Sequence, residues 1–315
     1  MKLQFVSTDG VRGVADRTYD LTDGRSGVAA RAVVVVGPSG SGKTSFLDAI
    51  AAAKEDISPW GARHSWTKVV RQGAGAAKIR LAWELDDEER RRMGLSARVL
   101  ESESIFSPTT APGQGHDPHL EALVARYDHD PAHGKMEYFF AERTLAREAI
   151  GFSALEPSMQ KRTRLDRSLR KYGVLHKYLT ELHLGMHERS GAPSGRERFA
   201  TAFAKLCPER RVLGLSRTAD RMELMFDGGP QGPVPMHELP HAEQQAVLFA
   251  GTFELLGLSR SIVLVDSPEL HQDEHRVGAF VSALTQLGED NQLIFATGWA
   301  GIADALPGAV VIPLR

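Results

Sequence analysis

The chain lacks several features that would have placed it in a special class. It has one cysteine, Cys207, in 315 residues, which excludes an internal disulfide framework and suits a reducing compartment. As a lone thiol, Cys207 reads as a small buried hydrophobe. No apolar run reaches the roughly 18 residues that cross a bilayer, and the opening MKLQFVSTDG has no signal-peptide core. A cytoplasmic protein without membrane association is expected. Neither sign of charge dominates: 38 Lys and Arg against 40 Asp and Glu leave −2, so net charge gives no support to binding DNA or a lipid surface. There is no internal repeat, and with 18 residues after Thr297 no appended nuclease domain is expected. What remains, 42% hydrophobic and 25% charged, is an ordinary globular composition able to bury a large core.

Against that plain background, VVVVGPSGSGKTSF stands out. Gly37, Pro38, Ser39, Gly40, Ser41, Gly42, Lys43 and Thr44 fit G-x-x-x-x-G-K-[ST] without mismatch, and Ser45 follows. The β-branched run before the motif predicts a buried parallel strand. The spacing of Phe46, Leu47, Ile50 and Ala51 after it predicts a helix. Strand, glycine turn and helix are the context in which backbone N–H groups and a helix N-terminus converge on phosphate. Residues 37–45 are therefore the expected ATP-binding set, with Lys43 on the β- and γ-phosphates and the Thr44 hydroxyl on Mg²⁺. The hydrophobic strand SIVLVDSPEL ends in Asp266, the expected second ligand on the Mg²⁺ side. No N-K-x-D guanine motif is present, which disfavours a GTPase.

Elsewhere, alternation predicts two short strands within residues 1–21, a strand over 77–85, one over 135–143, a hairpin within 212–229, and strands at QLIFAT and AVVIPL. Residues 107–119 read as a loop. HLEALVARY, AEQQAVLFAGTFELLG and 275–287 read as helices. Two helical parts separated by GAPSG fill 155–207, and DDEERRRMG is a charged turn or short helix. The basic run Lys161, Arg162, Arg164, Arg167, Arg170, Lys171 reads as a solvated helix face. His116, His119, His129 and His133, near Asp117, Asp128, Asp130 and two prolines, read as solvated loop side chains rather than metal ligands. His183 and His187 read as surface histidines.

The order of these parts resembles the ABC-type ATPase heads of the RecF, SMC and OLD-like group, over nearly the whole chain. Leu239-Pro240-His241-Ala242-Glu243-Gln244 stands where that group has L-S-x-G-E-Q. Asp266-Ser267-Pro268-Glu269-Leu270-His271 stands for D-E-P-E-L-H, and Ala296-Thr297-Gly298-Trp299 follows where a strand ends in T-H-S. YFFAER, Tyr138 to Arg143, is similar to a strand-loop segment of the group. The resemblance implies an α/β P-loop NTPase of ABC-type architecture, with a mixed central sheet, an antiparallel β subdomain and an inserted helical lobe. It places the ATP-binding core in 1–154 and 211–315 and the lobe in 155–210. It also marks departures: the signature Ser is Pro240, the signature Gly is Ala242, the water-orienting Glu is Ser267, and the switch His is Gly298.

These changes fall on groups that would stabilise a transition state, whereas the ground-state cradle is intact. The expectation is a nucleotide-gated assembly protein with slow hydrolysis, acting as a homodimer or beside a related ATPase subunit, with an effector partner, in DNA maintenance or phage defence. Two alternatives are an active ATPase that uses Glu269 in place of Ser267 as the catalytic carboxylate, and a transporter motor, which the D-x-P-E-L-H match opposes.

Overall fold

A computed structural model describes residues 1–111, 113, 115–126, 135–145, 161–187, 194–217 and 222–315. Helix α1 (Lys43–Ile57) lies at the centre, and every residue from Ala49 to Ile57 is buried. Such a helix must be covered on two sides, and two sheets cover it. One is antiparallel, in the order β2 (Arg17–Asp20), β1 (Lys2–Asp9), β4 (Ala77–Glu84), β5 (Val99–Phe106). The other has the order β12 (Val310–Pro313), β3 (Ala32–Val36), β11 (Gln292–Thr297), β10 (Ile262–Asp266), β6 (Met136–Phe139), parallel at every pairing. Parallel and antiparallel pairing thus both occur, but in separate sheets, rather than in one mixed central sheet. The inner strands β3 and β10 read as unbroken apolar runs because both of their faces are covered: β10 and its neighbour β11 are buried at every position.

A small third sheet joins β7 (Val212–Arg217), β8 (Met222–Phe226) and β9 (Val234–Pro235). Helices α5 (Arg170–His183), α6 (Gly195–Leu206), α7 (His241–Leu256) and α8 (Glu274–Leu284) pack in succession, α5 and α6 on α7 and α6 on α8. Phe139 of β6 meets Phe249 of α7 with ring centroids 4.4 Å apart, and Phe249 meets Phe280 of α8 at 5.8 Å. These aromatic contacts join the helices to the parallel sheet. Gly257 takes a left-handed conformation (φ 57°) and ends α7 as its sequence suggests.

The shorter helices are α2 (Trp66–Val69), α3 (Asp87–Met93), α4 (Pro118–Ala125) and α9 (Gly301–Ala305). Strands β5 and β9 and helices α2 and α9 were not expected. Two expectations are corrected. The basic run 161–171 is a solvated face only in part: Arg162, Arg167 and Arg170 are exposed, but Arg164 and Lys171 are fully buried, and both face Glu137 of β6. His116 is not a solvated loop side chain, because it is buried with Nε2 3.2 Å from Asp56 Oδ2. No helix among the described residues is long and apolar enough to cross a membrane.

Candidate functional site

The site lies at the carboxyl ends of the parallel strands, where open α/β sheets place ligands. The chain leaves β3 through Gly37 to Gly42 and enters α1 at Lys43. Gly42 has φ 92°, and a Cβ there would collide with the carbonyl oxygen of Gly13, so only glycine fits. The loop between β1 and β2 therefore leans on the phosphate loop. Lys43 Nζ donates to the carbonyls of Gly37 at 2.9 Å and Pro38 at 2.6 Å. An ammonium satisfied only by its own loop is ready to exchange those neutral acceptors for anionic oxygens. Ser41 Oγ is buried without a hydrogen-bond partner. Ser39 and Gly40 are exposed at the rim, and Ser45 packs beside Gly13.

Thr44 and Asp266 are 222 residues apart in sequence and meet here: Thr44 Oγ1 donates to Asp266 Oδ2 at 2.8 Å. Asp266 is 2% exposed. Burial pushes its carboxyl pKa up, only partly offset by the Thr44 hydroxyl and the Arg167 charge. A buried carboxylate destabilised in this way gains from a cation beside it. That demand, together with the orphaned Ser41 hydroxyl and the folded-back Lys43, is what a Mg²⁺·nucleotide would satisfy.

Ser267 has φ 49°, a left-handed conformation costly for a non-glycine residue. Its N–H donates to the Ala296 carbonyl at 2.7 Å, and its hydroxyl stands 3.4 Å from Asp266 Oδ1. The turn that follows swings Glu269 to the end of β11, where Oε1 accepts from Gly298 N–H at 3.0 Å while Oε2 is buried without a partner. The two candidate catalytic positions thus sit differently. Ser267 lies against the metal carboxylate, and Glu269 lies against the position where the resembled group has its switch histidine.

Arg143, quoted above only as part of YFFAER, holds these parts in register. Its guanidinium is buried and donates to the carbonyls of Phe140 (3.1 Å), Asp266 (2.6 Å) and Ser267 (3.1 Å) and to Gln245 Oε1 (2.7 Å). The end of β6, the turn after Asp266 and the first turns of α7 are thereby tied at one point. The N-terminus of α7 carries Pro240, which has no N–H, followed by His241, whose ring stacks on His271 with centroids 5.1 Å apart. Glu243 is turned aside to Arg210 at 2.7 Å.

Among the described residues no group of three His, Cys, Asp or Glu could hold a metal ion. His129, His133, Asp128 and Asp130 lie outside them. Asp117 instead caps α4, accepting from His119 N–H at 2.8 Å. His183 is half-buried and His187 is exposed beside Glu181.

This architecture is that of solved SMC head domains. An SMC head bound to the C-winged helix domain of ScpA is 13% identical with a TM-score of 0.62, over 97% of this chain and 92% of that one. The SMC head domain from Thermotoga maritima is 13% identical with a TM-score of 0.51, over 98% and 93%. A Smc head domain with an extended coiled coil, bound to the C-terminal domain of ScpA and derived from Pyrococcus furiosus, is 12% identical with a TM-score of 0.57, over 96% and 91%. At such identities the likeness is one of fold: the chain has the fold of an SMC head domain. No model of a protein family and no curated protein sequence matches it.

Proposed function

We propose that the chain binds Mg²⁺·ATP in this cradle, holds it far longer than it takes to hydrolyse it elsewhere in such folds, and uses the bound state to gate assembly. The observation that carries this reading is the Thr44–Asp266 contact beside an intact phosphate loop, with a serine, not a carboxylate, next in the chain. Residues 37–45 would hold the phosphates, and Thr44 with Asp266 would hold Mg²⁺, which supplies charge neutralisation when bound. The groups that would drive hydrolysis are poor: Ser267 is uncharged at neutral pH and Gly298 has no side chain. Loss of a water-positioning group of this kind lowers rate by on the order of 10²-fold or more.

The partner in this reading is a second copy or a related ATPase subunit, docked at the N-terminus of α7. By analogy with the two heads solved bound to ScpA, an effector subunit belongs to the proposal. The division at 154 and 210, a cytoplasmic setting, and a role in DNA maintenance or phage defence are part of it as well.

Calorimetry and phosphate release test it together. Wild type should bind Mg²⁺·ATP, Lys43→Ala should not, turnover should lie well below about 10 s⁻¹, and Ser267→Glu should raise it. A second reading has one observation in its favour, the free buried Oε2 of Glu269. Brisk turnover abolished by Glu269→Gln would make Glu269 the catalytic carboxylate and end the slow-hydrolysis proposal.

A further inference from the structure

Residues 164–171 form a bracket whose two ends are held by one carboxylate. Glu137 is fully buried on β6; Lys171 Nζ donates to its Oε1 at 3.1 Å, and Arg164 Nη1 stands 3.6 Å from its Oε2. Lys171 also donates to the Arg164 carbonyl at 3.1 Å, which closes the bracket on itself. Between these posts Leu165 is buried, but Asp166, Arg167, Leu169 and Arg170 are exposed. Arg167 does not point away from the protein. Arg167 Nη2 donates to Asp48 Oδ2 at 2.7 Å, and Asp48 Oδ1 accepts from the Tyr138 hydroxyl at 3.1 Å.

Asp48 lies one helical turn beyond Thr44 on the same face of α1. The charges of Asp48 and Arg167 both reach Asp266 across that turn. A guanidinium is thus stationed one helical turn from Thr44, tethered by the Asp48 carboxylate. Its side chain is 44% exposed and that of Asp48 39%, and an ion pair so exposed contributes little to stability. A phosphate offers the same guanidinium a stronger, doubly hydrogen-bonded partner.

We propose that Arg167 is a nucleotide-sensing residue: Asp48 holds it in the arrangement seen, and a terminal phosphate in the cradle draws it off Asp48, so that the bracket and α5 report whether a triphosphate is bound. The inference rests on the reading that the cradle takes a nucleoside triphosphate. Arg167 then discriminates triphosphate from diphosphate, and Asp48 competes with the ligand for it. The two partners of one ion pair therefore act with opposite sign, which no structural strut would do.

The test is calorimetry with Mg²⁺ and either a non-hydrolysable ATP analogue or ADP. Arg167→Ala should weaken the analogue about tenfold and ADP less than about twofold, Arg167→Lys should recover part of the loss, and Asp48→Asn should tighten the analogue about threefold. Hydrogen exchange should change over 164–175 when the analogue binds wild type, and not when it binds Arg167→Ala. If Arg167→Ala and Asp48→Asn weaken both nucleotides alike, the pair is a strut and the inference is overturned. Unchanged affinities in Arg167→Ala overturn it too. Failure of wild type to bind either nucleotide would instead remove the reading of the cradle itself.

Discussion

Two fully buried arginines flank β6, and they meet the cost of a buried charge in different ways. Arg164 shares the carboxylate of Glu137 with Lys171, so two cations face one anion with none of the three side chains exposed. Arg143 has no carboxylate among its hydrogen-bond partners: four neutral oxygens, three of them backbone carbonyls, accept from it, and the Phe249 ring lies 5.0 Å from its Cζ. Burial lowers the Arg143 pKa to about 10, still well above neutrality. The ionic cluster fixes the bracket that carries Arg167. The carbonyl-bound arginine fixes the relation between the metal strand and α7. The difference teaches that charge pairing here secures a connection to the helices, whereas dipole ligation secures the geometry of the site.

The largest effect should come from Glu137→Gln, which leaves Arg164 and Lys171 buried against a neutral amide. Removing one partner of a buried ionic group costs about 3–5 kcal/mol, to be read as a fall in the urea midpoint. Replacing Glu137, Arg164 and Lys171 together by methionine should cost less than Glu137→Gln alone, because no buried charge is left behind. A triple variant less stable than the single one would mean that the cluster is held by its shape and not by its charge balance.

Arg143→Met comes next. It takes the donor from the Asp266 carbonyl and from Gln245 Oε1, while the Phe140 and Ser267 carbonyls keep the N–H groups of residue 143 and Leu270. The cost is about 1–3 kcal/mol for such unsatisfied groups, and nucleotide binding should weaken as the turn after Asp266 loosens. The contrast between the two arginines survives if stability falls less than in Glu137→Gln while nucleotide affinity falls more. The reverse pattern would assign the site's geometry to the ionic cluster.

The sequence makes the cradle legible because eight consecutive positions carry it, and strands β3 and β10 because both of their faces are apolar. It hides β5, whose inward positions include Ser102 and Ser104. Those serines are buried with partners of their own, Trp83 Nε1 donating to Ser102 and Ser104 donating to the Ala53 carbonyl. A strand whose core face is half serine shows no apolar period. The basic run misleads for a related reason: its anion, Glu137, lies 34 residues before Lys171 in the chain. Whether a lysine is solvated depends on that distant carboxylate, and local composition does not contain it. Arg143 was visible only through resemblance, because a lone arginine after a strand has many neutral explanations.

The most gradual effect, and the one that separates paired lysines from the carbonyl-bound arginine, is the dependence of stability on pH. Burial lowers the Lys171 pKa to about 8, with Glu137 partly offsetting it, and lowers that of Lys54 to about 7, with Glu55 partly offsetting it; the ordinary value is 10.5. Between those folded values and 10.5 the unfolded chain binds more protons than the folded one, so stability rises as pH rises. Burial also pushes the Cys207 thiol up from 9.0 to about 11, which acts in the opposite direction above about pH 9. His176, lowered to about 4 by burial, responds only below the ordinary histidine value of 6.5. Arg143 at about 10 stays charged throughout pH 7 to 9, so that window belongs to the two lysines. The urea midpoint should climb across it, by at most about 1.4 kcal/mol per pH unit for each lysine. Lys171→Met should lessen the slope in the upper half and Lys54→Met across the whole window, with the other lysine's share remaining, while Arg143→Met leaves the slope as it is. A midpoint that falls from pH 7 to 9 would mean that both ammonium groups are better stabilised in the folded chain than in water, and Glu137 would then outweigh the burial it has been set against.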